Sequence, residues 1–144
     1  MPSNGFFPDP EARKPFMALV DQFDALRATG NIDGMEALLS ADAVFEYIGS
    51  LPYLEFSGTY TGREEIMELH RRAHREVEIL ESEVVDCLAE GDRLFTRRRA
   101  LIRHRGTSRR DWCETWGTWE FRGKQIAASR KFLDLSVWDR LRKD

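Results

Sequence analysis

Arginine, histidine and cysteine supply the side chains whose positions in this chain could bind or move charge. Arg98 stands in an extended run where Leu94, Thr96, Ala100 and Ile102 share its side, while Arg93, Arg97, Arg99 and Arg103 fall on the other. Alternate residues of a strand face opposite ways, so Arg98 points at a core, where a planar guanidinium can hold a carboxylate or enolate through two hydrogen bonds. His70 and His74 lie one helical turn apart. That spacing can chelate a metal, but a catalytic site needs about three protein ligands and the sequence offers no third, so no metal is expected. His70 falls on the apolar side of its helix, where a ring that ordinarily titrates near neutrality could shuttle a proton. Cys87 and Cys113 lack the close spacing of a zinc or redox motif. Cys113 is expected beside a pocket as a small buried hydrophobe.

Periodicity shows which elements must carry these groups. Asp9, Pro10 and Glu11 read as the start of a helix whose apolar stripe is Phe16, Leu19, Val20, Phe23 and Leu26, with Pro15 as a possible kink and Gly30 as its end. Asn31 can cap a short second helix through Leu39, followed by a strand over residues 43–48. The stretch 49–60 reads as an aromatic-rich covering loop that includes Tyr53 and Phe56. Thr61 and Glu64 have the spacing of a capping box for a third helix, which carries Ile66, Leu69, His70, Ala73 and Val77. Four extended stretches, 78–89, 92–104, 109–121 and 125–135, are divided by short Gly-bearing turns and predict an antiparallel meander. Helices followed by a meander is an α+β plan, and strands this long should bend at bulges. A bent sheet roofed by helices encloses a hollow. The expected fold is a cone-shaped, strongly curved, mostly antiparallel sheet with three helices of the N-terminal half on its concave face. It forms one domain over residues 1–144, with residues 1–8 as an arm.

The run from Gly30-Asn31 through Leu39, then Asp42-Ala43-Val44, then Gly58 through Ile66 resembles the ketosteroid isomerase-like and SnoaL-like proteins of the nuclear transport factor 2-like superfamily. Glu90-Gly91-Asp92-Arg93-Leu94, Gly123-Lys124 through Ile126, Arg130-Lys131-Phe132 and Asp134 carry the resemblance on, so that it covers residues 15–138. It implies a cone-shaped fold, commonly a dimer through the outer sheet faces, with functional groups on inward strand positions. It does not imply one reaction, because relatives isomerise, dehydrate, cyclise, hydrolyse epoxides or only bind. The base of ketosteroid isomerases corresponds to Tyr47, their helix-borne tyrosine to Phe23, and their partner acid falls near Thr115 to Gly117, where no acid occurs. The arginine of limonene-type epoxide hydrolases matches Arg98, but their two acids correspond to Ala100 and Lys131. Family register also turns Ala127, Ser129, Lys131 and Leu133 inward.

These positions give a working site. Arg98 and Lys131 are expected to hold an anionic group of a ligand, with Tyr47 and His70 as hydrogen-bonding or proton-transfer groups. Phe23, Tyr53, Phe56, Leu69, Thr96, Cys113 and Ser129 complete the expected lining. The alternative is structural: an inward Asp111 or Glu83 pairs with both cations, or Lys131 snorkels to the pocket mouth. Function then divides between a cofactor-independent isomerase, dehydratase or cyclase acting on a small organic acid or cyclic carbonyl compound, and a ligand-binding dimer without turnover. Residues 96–119 combine seven arginines with Trp112, Trp116 and Trp119, but the net charge of −3 over 144 residues argues against nucleic acid. Arg97, Arg99, Trp112, Glu114 and Trp116 instead form an outward cluster suited to a homodimer face. No apolar run is long enough to span a bilayer, no basic or hydrophobic leader is seen, and two free thiols suit a reducing compartment, so a cytoplasmic protein without a membrane partner is expected.

Overall fold

The computed structural model of the chain describes residues 10–49 and 56–143. The arm expected at residues 1–8 and the candidate Tyr53 lie outside the described residues. Helix α1 (Pro10–Thr29) runs through Pro15 without a break. Proline forfeits one backbone bond there, and the buried stripe through Val20 and Phe23 outweighs it. Gly30 ends the helix in a left-handed conformation at φ 81°. A 3-10 helix (Ile32–Leu38) follows, with Asn31 accepting the Gly34 N–H at 3.3 Å.

Strand β1 (Leu39–Ile48) pairs with β2 (Gly58–Thr61), so the end of the stretch read as a loop is a strand. Its four residues are too few to display alternation. Helix α2 (Arg63–Glu76) starts one residue later than the expected capping box. Gly62 is the N-cap, and Glu65 rather than Glu64 reaches back, its carboxylate accepting the Thr61 N–H at 2.7 Å. The meander is β3 (Val77–Glu90), β4 (Arg93–His104), β5 (Arg110–Arg122) and β6 (Gln125–Leu133). The chain then turns into an unexpected helix α3 (Leu135–Arg142).

The six strands order as β2-β1-β6-β5-β4-β3, antiparallel except where β1 meets β6 in parallel. The sheet is curved, as the sequence predicts, and it is unclosed. Register shifts mark bulges in the β3–β4 pairing between Ile79 and Glu81 and between Val84 and Asp86, where extra residues bend the edge strand. In β4 the inward positions are Leu94, Thr96, Arg98, Ala100 and Ile102, the expected set. In β6 the phase slips: Ala127 is an extra residue opposite the Glu120–Phe121 step, so Ile126 is the buried residue before Ser129 and Lys131.

The interior divides into two parts. Phe23, Phe45, Trp119 and Ile126, with Met35 and Ile66, fill the end beneath α1 and the front of α2. Val77, Ala100, Ile102 and Cys113 meet Val137 and Leu141 of α3 at the other end. Among the described residues no helix is long and apolar enough to cross a membrane.

Gly117 is needed for its lack of a side chain. It faces Lys131 across the β5–β6 pair, and a Cβ there would lie 2.5 Å from the Arg130 carbonyl oxygen and 2.8 Å from Lys131 Cγ. Gly117→Ala is therefore expected to lower stability by about 1–3 kcal/mol through overpacking. Urea denaturation checks this, and an unchanged midpoint would show that the β5–β6 pair yields freely.

Candidate functional site

A cavity lies between α2, α3 and the far half of the curved sheet, with an empty volume of about 770 Å³ when its open mouth is included. Leu69, Ala73, Val77, Ile79, Ala100, Ile102 and Leu133 make its wall largely apolar, and Phe56 and Trp138 meet at a tilt beside it with ring centres 5.0 Å apart. Arg27, Tyr47, His70, Arg98, Cys113 and Thr115 add polar atoms, and His74 completes the rim.

Tyr47 and His70 are brought together by β1 and α2. His70 Nδ1 lies 2.7 Å from the Ile66 carbonyl, which can only accept, so Nδ1 carries the ring proton. Nε2 therefore accepts from the Tyr47 hydroxyl at 3.1 Å. Phe23 meets the His70 ring edge-on at 5.2 Å. Burial lowers the His70 pKa to about 3, with the Arg27 and Lys131 cations pushing the same way. Burial raises that of Tyr47. The pair is neutral at ordinary pH, and the proton shuttling expected of His70 is corrected to a fixed tautomer that orients Tyr47. Both ring nitrogens of His70 are hydrogen-bonded within the protein. Among the described residues no three His, Cys, Asp or Glu side chains converge. His74 Nε2 instead faces Arg105 Nη2 at 3.3 Å.

Arg98 is inward and 7% exposed. Its counter-charge is Asp24 of α1, not Asp111 or Glu83, and Ser82 Oγ accepts a second bond at 2.6 Å. Asp111 pairs at the surface with Arg140 at 3.4 Å, and Glu83 is exposed on β3 opposite Arg99. Asp24 also pairs with Arg27 at 3.0 Å. The signal for Asp24 was present: it follows Val20 by four residues and Phe23 by one, inside the buried stripe of α1, and is 6% exposed.

Lys131 is 3% exposed but does not line the cavity. Its Nζ lies 3.8 Å from the Trp119 ring centre and 5.2, 5.5 and 5.6 Å from those of Phe45, Tyr47 and Phe23. Among the described residues no carboxylate forms an ion pair with it. Cation-π contact is worth about 2 kcal/mol at a desolvated site, whereas burying an ammonium costs several. Burial therefore wins, and with Arg27 and Arg98 opposing a further cation it holds the amine well below its ordinary pKa of 10.5. Lys131 neither snorkels to the mouth nor shares a ligand cradle with Arg98.

Of the expected lining, Phe56, Leu69 and Cys113 border the cavity. Phe23, Thr96 and Ser129 lie in the packed layer beside it: Thr96 Oγ1 accepts the Trp119 indole N–H at 3.0 Å, and Ser129 Oγ donates to the Thr118 carbonyl at 3.1 Å. The Cys113 thiol is pushed up to about 11 by burial and by Asp134, which makes it a poor nucleophile at neutral pH. Arg27 and Trp138 were not foreseen, because one sits in the last turn of α1 and the other on a helix beyond the last stretch read as strand, 125–135.

A family model for the SnoaL-like domain matches residues 20–129. The chain belongs to the SnoaL-like domain family. No curated protein sequence matches it significantly. Solved structures share the fold of this SnoaL-like domain. An NTF2-like protein from Burkholderia xenovorans LB400 is 22% identical with a TM-score of 0.73, covering 90% of this chain and 97% of its own. An LEH-like epoxide hydrolase of M. tuberculosis is 20% identical with a TM-score of 0.69, covering 89% and 90%. A protein with a ketosteroid isomerase-like fold from Catenulispora acidiphila DSM 44928, solved in complex with trimethylamine, is 18% identical with a TM-score of 0.70, covering 83% and 87%.

The His70 shift carries a sign. The unfolded ring binds a proton below about pH 6.5, while the folded ring stays neutral down to about 3. Stability is thus present above the unfolded value and lost as pH falls, with a limiting slope of about 1.4 kcal/mol per pH unit. Denaturation between pH 7 and 5, above most carboxylate titration, is expected to show this slope in the parent and to lose it in His70→Gln. An equal slope in both would place the buried proton acceptor elsewhere.

Proposed function

We propose that this SnoaL-like domain binds a small, largely apolar molecule in the cavity, and that holding the molecule is what its described residues are arranged to do. The observation that carries this reading is the Tyr47–His70 pair set in an apolar wall. Its protons are spent on each other and on Ile66, so it offers the ligand an oriented phenol oxygen and no free acid. Among the described lining residues none is a carboxylate, the group that proton abstraction on this fold would use.

One observation favours a second reading, a cofactor-independent isomerase or lyase. Lys131 is a buried amine held toward neutrality beside the Tyr47 ring, and a neutral lysine is competent as a base or an imine-forming nucleophile. Reaching a ligand would require the Tyr47 and Trp119 side chains to move.

Thermal-shift measurement against cyclic ketones and small carboxylates tests both readings. A ligand at a hundred times its Kd is expected to raise stability by about 2.7 kcal/mol. Ala73→Phe, which fills the cavity from α2, is expected to abolish that gain. Ligand recovered unchanged supports binding alone. A product formed by the parent but not by Lys131→Met supports the enzyme, and no stabilisation by any compound overturns both.

We also propose that two copies pair through the outer sheet face. Trp116 and Phe132 are neighbours in register, 45% and 56% exposed. Around them Arg97 bonds Glu114 at 2.6 Å and lies 5.2 Å from the Trp116 ring, and Arg99 stacks on Trp112 at 4.0 Å. With their charge neutralised locally, the arginines suit an apolar partner face better than a polyanion. Sedimentation is expected to give a dimer for the parent and a folded monomer for Phe132→Asp. A monomeric parent that binds single-stranded nucleic acid in a salt-sensitive way would reverse this assignment.

A further inference from the structure

The charges at the polar end of the cavity do not cancel. Arg27 and Arg98 both line it, and among the described residues the carboxylate paired with both is that of Asp24, 3.0 Å from Arg27. Asp21, one turn back on α1, also feels Arg98, but its side is exposed and water screens it. Lys131 behind the wall adds to the positive side whenever it is charged. The Arg27 Nε–H is buried and has no acceptor among the described residues. A cation pair with half its counter-charge, facing an apolar hollow, is arranged for an anion that arrives with the ligand.

We infer that the cavity selects small monocarboxylates with an apolar body. The carboxylate lies against Arg27 and Arg98, and the body lies over Leu69, Ile79, Ile102 and Leu133. Tyr47 Oη, already donating to His70, presents lone pairs and so receives a hydroxyl of the ligand rather than a carbonyl. A dicarboxylate is disfavoured where its second charge would lie over the apolar wall of Leu69, Ile79, Ile102 and Leu133. This inference rests on the reading of the cavity as a binding site and fixes its substrate class.

Calorimetric titration with cyclohexanecarboxylate and its neutral isostere cyclohexanecarboxamide tests it. The acid is expected to bind at least about tenfold more tightly than the amide, the scale of one charge-assisted contact. Arg27→Gln is expected to bring the acid down to the level of the amide, and Arg27→Lys to keep most of the preference. Asp24→Asn leaves both arginines without their carboxylate and is expected to tighten acid binding while lowering thermal stability. A purely structural Asp24 would lower both. Should Asp24→Asn not fold, the two Arg27 variants decide the matter, since Arg27 sits at the helix edge with an 18% exposed side chain. Equal affinity for acid and amide overturns the inference and leaves the binding site standing. No binding of either, with no stabilisation by any cyclic ketone, overturns the inference and the binding site together.

Discussion

A guanidinium buried in the middle of a strand must find a negative charge, and Arg98 finds it across the hollow of the sheet on Asp24. Strand neighbours could not supply it, because cross-strand partners of an inward residue are themselves inward, and those of Arg98 are Thr115 and Val84. The counter-charge has to come from whatever covers the concave face. This pins α1 at one height over β4, with Arg13 donating to the Cys87 carbonyl at 3.1 Å as a second tie to the sheet. Removing one partner of such a pair costs about 3–5 kcal/mol, a large share of a small domain's stability. The same bond leaves Arg27 beside the carboxylate, which is how a structural necessity produces a positive cavity wall.

Side-chain size decides which half of the arch is solid. Near α1 the inward positions are Phe45, Trp119 and Ile126, and with Phe23 they close the space entirely. Farther along, the inward positions of β4 and β5 are Ala100, Cys113 and Thr115, and α2 contributes Ala73. These cannot span the distance to the helices, so the hollow stays open there. Helix α3 limits it from outside: Val137 and Leu141 pack on Ala100 and Ile102, Arg142 pairs with Glu76, and Thr107 Oγ1 donates to the Leu141 carbonyl at 2.6 Å. Gly117 belongs to the same logic, since the bulk missing from it is occupied by the stem of Lys131.

Burial also changes what familiar side chains can do. His70, Tyr47, Cys113 and Lys131 all carry catalytic reputations, and each is driven toward its neutral form by the cost of charge in this interior. What remains among the described residues is a set of fixed dipoles beside Arg27 and Arg98, which share the carboxylate of Asp24.

Regular alternation over the twelve residues of β4 was enough to turn Arg98 inward, and the glycine-bearing turns were enough to count the meander strands. The stripe of α1 and the run from Gly30 to Ile66 likewise determined an α+β domain of the SnoaL-like kind. These are local matters, readable wherever a period repeats several times. The four residues of β2, the eight of α3 and the single extra residue at Ala127 repeat nothing, and so left no trace in the pattern. Only the tertiary structure decided that Asp24 answers Arg98, that Tyr47 and His70 satisfy each other, and that Lys131 lies in an aromatic cage behind the cavity wall. Ion pairing and desolvation depend on distances between elements far apart in the chain, and those distances are set by packing.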